Sequence, residues 1–265
     1  MNESGEPGGE SAGDAASRQA LHDLLATLAE IDRVHLGADR GIREPADVAT
    51  GIRFLLHLMG GGLDLAFDAD PRRPEFRPTM SAGRRFYGDN PDAIYQSTTI
   101  DPTLAYRIRA NTTGAVYTSF TVEGGGSLDS RYPPGRVVSS LNDTKLGIAS
   151  DGSYELIASA EPRSGSSAWL PLAPDACSIV TRHYFEGDAS VDRRLAIPIE
   201  IEPIEVGESG AHSTAGQGVD DAAVASGIRR VENFVRGLSL DYEKNGPAID
   251  FASREAKSIA GPFFP

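Results

Sequence analysis

The sequence predicts an α+β fold: an antiparallel β-sandwich, jelly-roll-like, with a helix pair before it and a helix after it. Three observations carry this reading. Helical periodicity is confined to the two ends of the chain. The stretch from about residue 93 to 206 is a series of short β-branched and aromatic runs, split by Asp, Asn, Gly and Pro. No alternation of strand and helix occurs, which argues against a doubly wound sheet.

The elements follow in order. Residues 1–16 are acidic and rich in Gly and Ser, read as a disordered tail, and have neither the basic nor the apolar region of a secretory signal. In "RQALHDLLATLAEIDRVHL", Leu21, Leu24, Leu25, Leu28 and Ile31 recur at helical spacing. A second helix starts at "EPADVATGIRFLLHLM", with Pro45 suited to the first helical position and Asp47 to the positive end of the dipole. Gly60, Gly61 and Gly62 should end or weaken it, although "LDLAF" could carry it further. "DADPRRPEFRP" has three prolines in eleven residues and reads as an irregular linker, closing a helical region over 17–83.

The sandwich is expected over 84–206. "AIYQSTTI", "LAYRIRA" and "AVYTSFTV" are spaced as a meander of short strands. "EGGGSLDSRYPPG" is a loop long enough to form a rim. Asp151-Gly152 lies between two strand-like runs, as in a hairpin. "CSIVTRHYF" and "RRLAIPIEIEPIEV" are later strands, the second placed near a sheet edge by Pro198 and Pro203. Residues 207–218, "GESGAHSTAGQG", read as a flexible break. The segment 219–265 returns to helical period through Ile228, Val231, Phe234, Val235 and Leu238, with Asp220 or Asp221 as cap. Its closing "GPFFP" is an ending expected of a chain that continues into a second β unit or packs on a partner.

Composition narrows the function. With 25 basic and 38 acidic residues the net charge is −13, a surface that repels phosphate backbones and anionic membranes. No apolar stretch approaches the ~18 residues of a membrane span. The expected setting is cytoplasmic, with neither nucleic acid nor membrane as partner. The single cysteine, Cys177, excludes an intrachain disulfide and sits in a strand-like run as a buried, inert thiol.

Three blocks, "GDNPDAIYQSTTIDPTLAYRIR", "AVYTSFTVE" and "WLPLAPDACSIVTRHYFEGD", resemble the bacterial family called domain of unknown function 1214, often coupled to a companion numbered 1254. The resemblance spans roughly residues 84 to 206. It implies a jelly-roll-like antiparallel fold and, in longer members, a second similar β unit. The family has no agreed reaction, so the resemblance assigns no catalytic residue.

Candidate chemistry comes from the residues themselves. A jelly-roll metal site needs two or three histidines, and the β region has only His183, so no metal and no cofactor are expected. The one Gly-x-Ser-x-Gly, Gly9 to Gly13, lies in the acidic tail without the strand-turn-helix setting of a nucleophile elbow. Arg107 and Arg109 share one face of "LAYRIRA", either as a solvated outer face or as two guanidinium forks for a carboxylate. Arg182 and His183 lie on opposite faces of "SIVTRHYF", with Asp89 and Asp92 as natural partners; they form either a structural brace or a proton donor and anion clamp. The "GDNPD" run is explained by Asp and Asn folding back on the backbone, yet it could also form a lip.

These residues point to a metal-independent enzyme of hydrolase or lyase type, acting by acid–base chemistry on a small polar or anionic organic molecule. His183, Arg182 and Asp89 would be catalytic, and Asn90, Asp92, Tyr95, Arg107 and Arg109 would bind substrate, at one end of the sandwich. The alternative is a non-catalytic module that binds a carbohydrate-like ligand on an aromatic sheet face or assembles subunits. A second copy of the chain or a following β unit are the other partners expected. The enzyme reading requires His183, Arg182 and a turn aspartate to line one pocket.

Overall fold

The structure is a computed structural model that describes residues 15–80, 84, 90–163, 168–187, 192, 195–204 and 220–242. The 207–218 break, the "GPFFP" ending and Asp89 lie outside the described residues.

Among the described residues, nine strands form two sheets. They are β1 (Arg77–Pro78), β2 (Ala93–Thr99), β3 (Ala105–Asn111), β4 (Tyr117–Gly124), β5 (Arg136–Asn142), β6 (Ser153–Ser159), β7 (Trp169–Pro171), β8 (Ala176–Tyr184) and β9 (Ile199–Ile204). The five-stranded sheet has the order β1-β2-β8-β4-β5, and the four-stranded sheet β7-β6-β3-β9. All pairs are antiparallel except β6 with β7. One apolar core lies between the sheets, with Phe120, Val122 and Ile179 from the first and Tyr106, Ile108, Leu156 and Leu170 from the second. The molecule is therefore α+β, with two antiparallel-rich sheets on a shared core.

Two expectations about the strands need correction. Consecutive strands do not form a meander. β2, β3 and β4 alternate between the sheets, and β8 inserts between β2 and β4. Short strands with one apolar face can each be buried by pairing far along the chain, and local spacing does not reveal which pairing occurs. The run before Asp151-Gly152 is not a strand either. Asp143–Leu146 is a single helical turn, α3, and the chain reaches β6 through a turn in which Ala149 donates to Ser153. The linker is also less irregular than its prolines suggest, since its end, Arg77–Pro78, pairs with β2 as an edge strand. β9, carrying Pro203, does lie at a sheet edge.

Three longer helices form a separate layer: α1 (Ala16–His35), α2 (Pro45–Gly62) and α4 (Asp221–Gly237). α2 does not stop at its glycines but continues into a π-helical turn over Leu63–Phe67. The reason is packing: a Cβ on Gly62 would lie 3.1 Å from Val231 and 3.4 Å from Phe234, so the glycine lets α2 approach α4. Asp220 caps α4, its carboxylate accepting from the Ala222 amide at 3.1 Å. Leu24, Ile31, Leu58, Val231, Phe234 and Val235 bury a second core with Leu128. No helix among the described residues is long and apolar enough to cross a membrane.

Leu128 belongs to the 125–135 loop that joins β4 to β5, so this loop ties the helical layer to one end of the five-stranded sheet. Tyr132 stacks on Phe234 with ring centroids 4.7 Å apart, and the Asn233 amide donates to the Leu128 carbonyl at 2.9 Å. On the other side, Arg77 of β1 donates to the Asp64 carbonyl at 2.8 Å.

Candidate ligand-binding cleft

Of the residues singled out from the sequence, the described ones do not all assemble into one site, although Tyr95 and Arg182 are cross-strand partners on β2 and β8. His183 is fully buried on the inner face of β8. Its Nδ1 lies 3.3 Å from the Thr118 hydroxyl, and its Nε2 has no hydrogen-bond partner among the described residues. Burial pushes the imidazole down to about 4, so it is neutral near pH 7. Arg182 projects from the opposite face, where its guanidinium donates to Thr121 Oγ1 at 2.9 Å. Alternation along one strand keeps the two apart, so they cannot line a common pocket.

Asn90 and Asp92 form the turn that leads into β2. The Asn90 side chain accepts from the Asp92 amide at 2.8 Å, and the Asp92 carbonyl accepts from Phe185 at 2.8 Å. The Tyr95 hydroxyl accepts from the Asn90 amide at 3.2 Å, and burial raises its pKa. These contacts brace a sheet corner. Arg107 and Arg109 lie on the outer face of the other sheet. Arg109 binds Glu155 and Glu202, each at 3.0 Å, and Arg107 reaches the same carboxylates at 3.6 and 3.4 Å. Their forks hold the sheet's own acids.

A concavity lies elsewhere, where the helical layer meets the outer face of the five-stranded sheet. An inner recess of about 50 Å³ has Ser97 and Thr99 of β2, Glu123 of β4 and Ser178 of β8 on its floor. Leu128, Tyr132 and Phe234 form its apolar wall. A wider outer part of about 460 Å³ adjoins it, bounded by Asp101, Asp129, Asp175 and Arg230. The two share Ala69, Thr99, Ser127, Leu128 and Cys177. The "EGGGSLDSRYPPG" loop thus forms the rim expected of it.

Glu123 is the distinctive group. The register of β4 shifts on both sides of it: against β5 between Val122 and Glu123, and against β8 between Glu123 and Gly124. In both shifts the extra residue lies on the neighbouring strand, Val138 of β5 and Cys177 of β8, so the ladder is broken on either side of Glu123. Ser178, its partner across the sheet, donates to Glu123 Oε2 at 2.9 Å. Loss of solvent raises the Glu123 carboxyl above the usual range, against the smaller opposing pulls of Ser178 and Arg182. Gly124 completes the device. A Cβ there would lie 2.7 Å from the Asp175 carbonyl, so the chain can leave the sheet this tightly only without a side chain. Cys177, at the same bulge, donates to the Glu123 carbonyl at 3.5 Å, and burial lifts its thiol to about 11. It is half-buried and borders the cleft, rather than fully buried as its strand-like run suggested.

Sequence reasoning passed over Glu123. A signal was present: it is the charge that ends the hydroxyl and apolar run "YTSFTV" directly before three glycines.

Comparison with known proteins adds fold and no function. No family model matches the chain, and no curated protein does. The chain is similar to the crystal structure of an uncharacterised protein from Burkholderia cenocepacia, at 28% identity and a TM-score of 0.68, over 85% of this chain and 59% of that one. The chain therefore spans about three-fifths of the length of that protein. The VPA0106 protein from Vibrio parahaemolyticus matches at 15% identity over 71% of this chain and 43% of that one, with a TM-score of 0.32, too low to argue a shared fold.

Proposed function

We propose that the protein binds a small polar organic molecule in this cleft and that the binding is not catalytic. The observation that carries the reading is a single desolvated carboxyl, Glu123, on the floor of a recess with an aromatic and apolar wall. Ligand sites characteristically combine a mostly apolar lining with a few convergent polar groups. The enzyme reading built on His183 loses its support, because that imidazole faces the sandwich core. The test is calorimetric titration of amines, polyols and carboxylates into the wild-type chain and a Ser127→Trp variant. Ser127 borders both parts of the cleft, so a ligand that binds should lose at least about tenfold in affinity in the variant. Unchanged affinity would place the ligand elsewhere.

One observation favours a second reading. A hydroxyl held on a carboxyl of raised pKa, Ser178 on Glu123, is a pair suited to acid–base chemistry. A hydrolase or lyase would then use Glu123 where the sequence suggested His183. In that case Glu123→Gln keeps ligand affinity and abolishes turnover.

The jelly-roll assignment, and with it membership of the family domain of unknown function 1214, are likewise proposals. Their support is the insertion of β8 between β2 and β4, a long-range pairing within a two-sheet sandwich. The cytoplasm is the proposed setting on composition alone.

A further inference from the structure

Resting on the binding reading of the cleft, we infer that its ligand is a small organic cation, an amine or quaternary ammonium, whose charged head enters the inner recess and whose remainder lies in the outer part.

Size sets the first constraint. About 50 Å³ admits a compact head group, since a single water needs roughly 10–15 Å³ of such space. The outer part, about 460 Å³, is of the size that accommodates an organic body. Charge sets the second. The inner recess is lined by Asp68, Asp70, Glu75 and Glu123 against Arg73 and Arg77, and the outer part by Asp101, Asp129 and Asp175 against Arg230.

These arginines are already engaged. Arg73 pairs with Asp70 at 3.0 Å, and Arg77 with Glu75 at 3.1 Å. Arg230 donates to the Ala66 and Phe67 carbonyls at 2.9 and 2.7 Å and lies 3.5 Å from Asp129. Arg182, the cation that acts on Glu123 from beside the recess, is held on Thr121. Those pairs neutralise Asp70, Glu75 and Asp129 together with the arginines, and Asp175 pairs with Arg136, so the cleft's net negative charge rests on Glu123, Asp68 and Asp101, and an anionic ligand would meet these acids and guanidinium groups with other partners. A cationic head meets the Glu123 carboxylate, the Ser178 and Thr99 hydroxyl oxygens, and the half-buried Tyr132 ring, which Phe234 backs from the helical core. Carboxylate with aromatic rings is the chemistry that recognises ammonium groups.

The test is calorimetric titration of methylamine, choline, putrescine, glucose and acetate into the full chain, its Glu123→Gln and Glu123→Asp variants, and Ser127→Trp. The expected result is saturable millimolar or tighter binding of at least one cation, weakened at least about tenfold in Glu123→Gln and partly restored in Glu123→Asp. Thermal denaturation checks that each variant is folded. Glucose or acetate binding that Ser127→Trp abolishes would overturn the cation and leave the cleft standing. Cation binding unaffected by Glu123→Gln overturns the inference as well. Silence from every probe overturns both the cation and the cleft.

Discussion

The outer faces of the two sheets treat charge in opposite ways. On the four-stranded sheet, Arg107, Arg109, Glu155 and Glu202 stand half-exposed and neutralise one another across β3, β6 and β9. On the five-stranded sheet, Glu123 stands between two register shifts beneath the rim loop and the helical layer, and solvent loss raises its carboxyl. Both positions are outward-facing charges on short antiparallel strands. What separates them is the cover. A charge in water with a partner is a low-energy arrangement, whereas a charge under protein is a costly one that a ligand can relieve. If cover is the deciding variable, the effect of removing or titrating a group should grow with its desolvation.

His183 is the extreme of that series and should show the largest effect. Its folded pKa, about 4, lies below the ordinary 6.5, so the unfolded chain takes up the proton first as pH falls. Its neutral form contributes fully above about pH 6.5, and stability is lost from there toward pH 4 at about 1.4 kcal/mol per unit, on the order of 3 kcal/mol over the window. Urea denaturation of the wild type and a His183→Gln variant at several pH values isolates this contribution. Parallel curves for the two proteins would mean that burial does not govern the imidazole, and the comparison would break at its strongest point.

The second effect concerns the cover itself. A Cβ on Gly237, at the end of α4, would lie 1.9 Å from the Tyr132 carbonyl and 3.4 Å from its Cα. Gly237→Ala gains about 1 kcal/mol in helix propensity. Against that, backbone cannot yield as a flexible side chain can, and overpacking of this kind costs about 1–3 kcal/mol. The expected outcome is a net loss of thermal stability, with the rim loop pushed away from α4. A higher melting temperature in calorimetry would show that α4 does not hold the rim in place.

These effects mark where the sequence was informative. The helices were legible because Leu24, Ile31, Val231, Phe234 and Val235 recur at a period that only one helical face can satisfy, and all are buried. The strands were legible as segments for the same reason with period two. Pairing was not, because β8 reaches β2 and β4 over long stretches of chain, and alternation records a face without naming a neighbour. The alternation in "SIVTRHYF" had already separated His183 from Arg182, so the proposed joint site contradicted a pattern visible in its own strand. Arg107 and Arg109 could be read as a solvated face, but not as partners of Glu155 and Glu202, which are distant in sequence. Glu123 escaped because its character comes from two bulges and from a loop and helix that fold over it. The charge before three glycines marks the position, but neither the irregular pairing nor the cover is written in the strand.

The third effect has the opposite sign. Glu123 has a raised folded pKa, so its contribution to stability is present below the ordinary carboxylate range and is lost as pH rises through the folded value. As pH rises above the ordinary carboxylate range, desolvation of the carboxylate becomes a growing cost to the fold, and Glu123→Gln should remove it. The expected result is a higher melting temperature for Glu123→Gln, by a gap that widens as pH rises above the carboxylate range. Stabilisation on losing a carboxyl is the signature of a group kept for binding at the expense of the fold. A fall in melting temperature would mean that the Ser178 hydrogen bond outweighs desolvation, and Glu123 would rank with the structural acids.

The smallest effect belongs to the exposed network, and its smallness is what makes it decisive. Arg109 has the better geometry of the two arginines, meeting both carboxylates at 3.0 Å. Half-exposed ion pairs nevertheless contribute at most about 1 kcal/mol, because water solvates the separated charges almost as well and ordering two long side chains offsets the attraction. Arg109→Ala should shift stability by no more than about 0.5 kcal/mol, and high salt should erase even that difference. The shared carboxylates remain partnered by Arg107, which further blunts the loss. A penalty of about 2 kcal/mol or more in denaturant titration would show that an uncovered face can hold a tightly coupled charge cluster. Cover would then not distinguish the two sheets, and the argument that sets Glu123 apart from the other outward charges would fail with it.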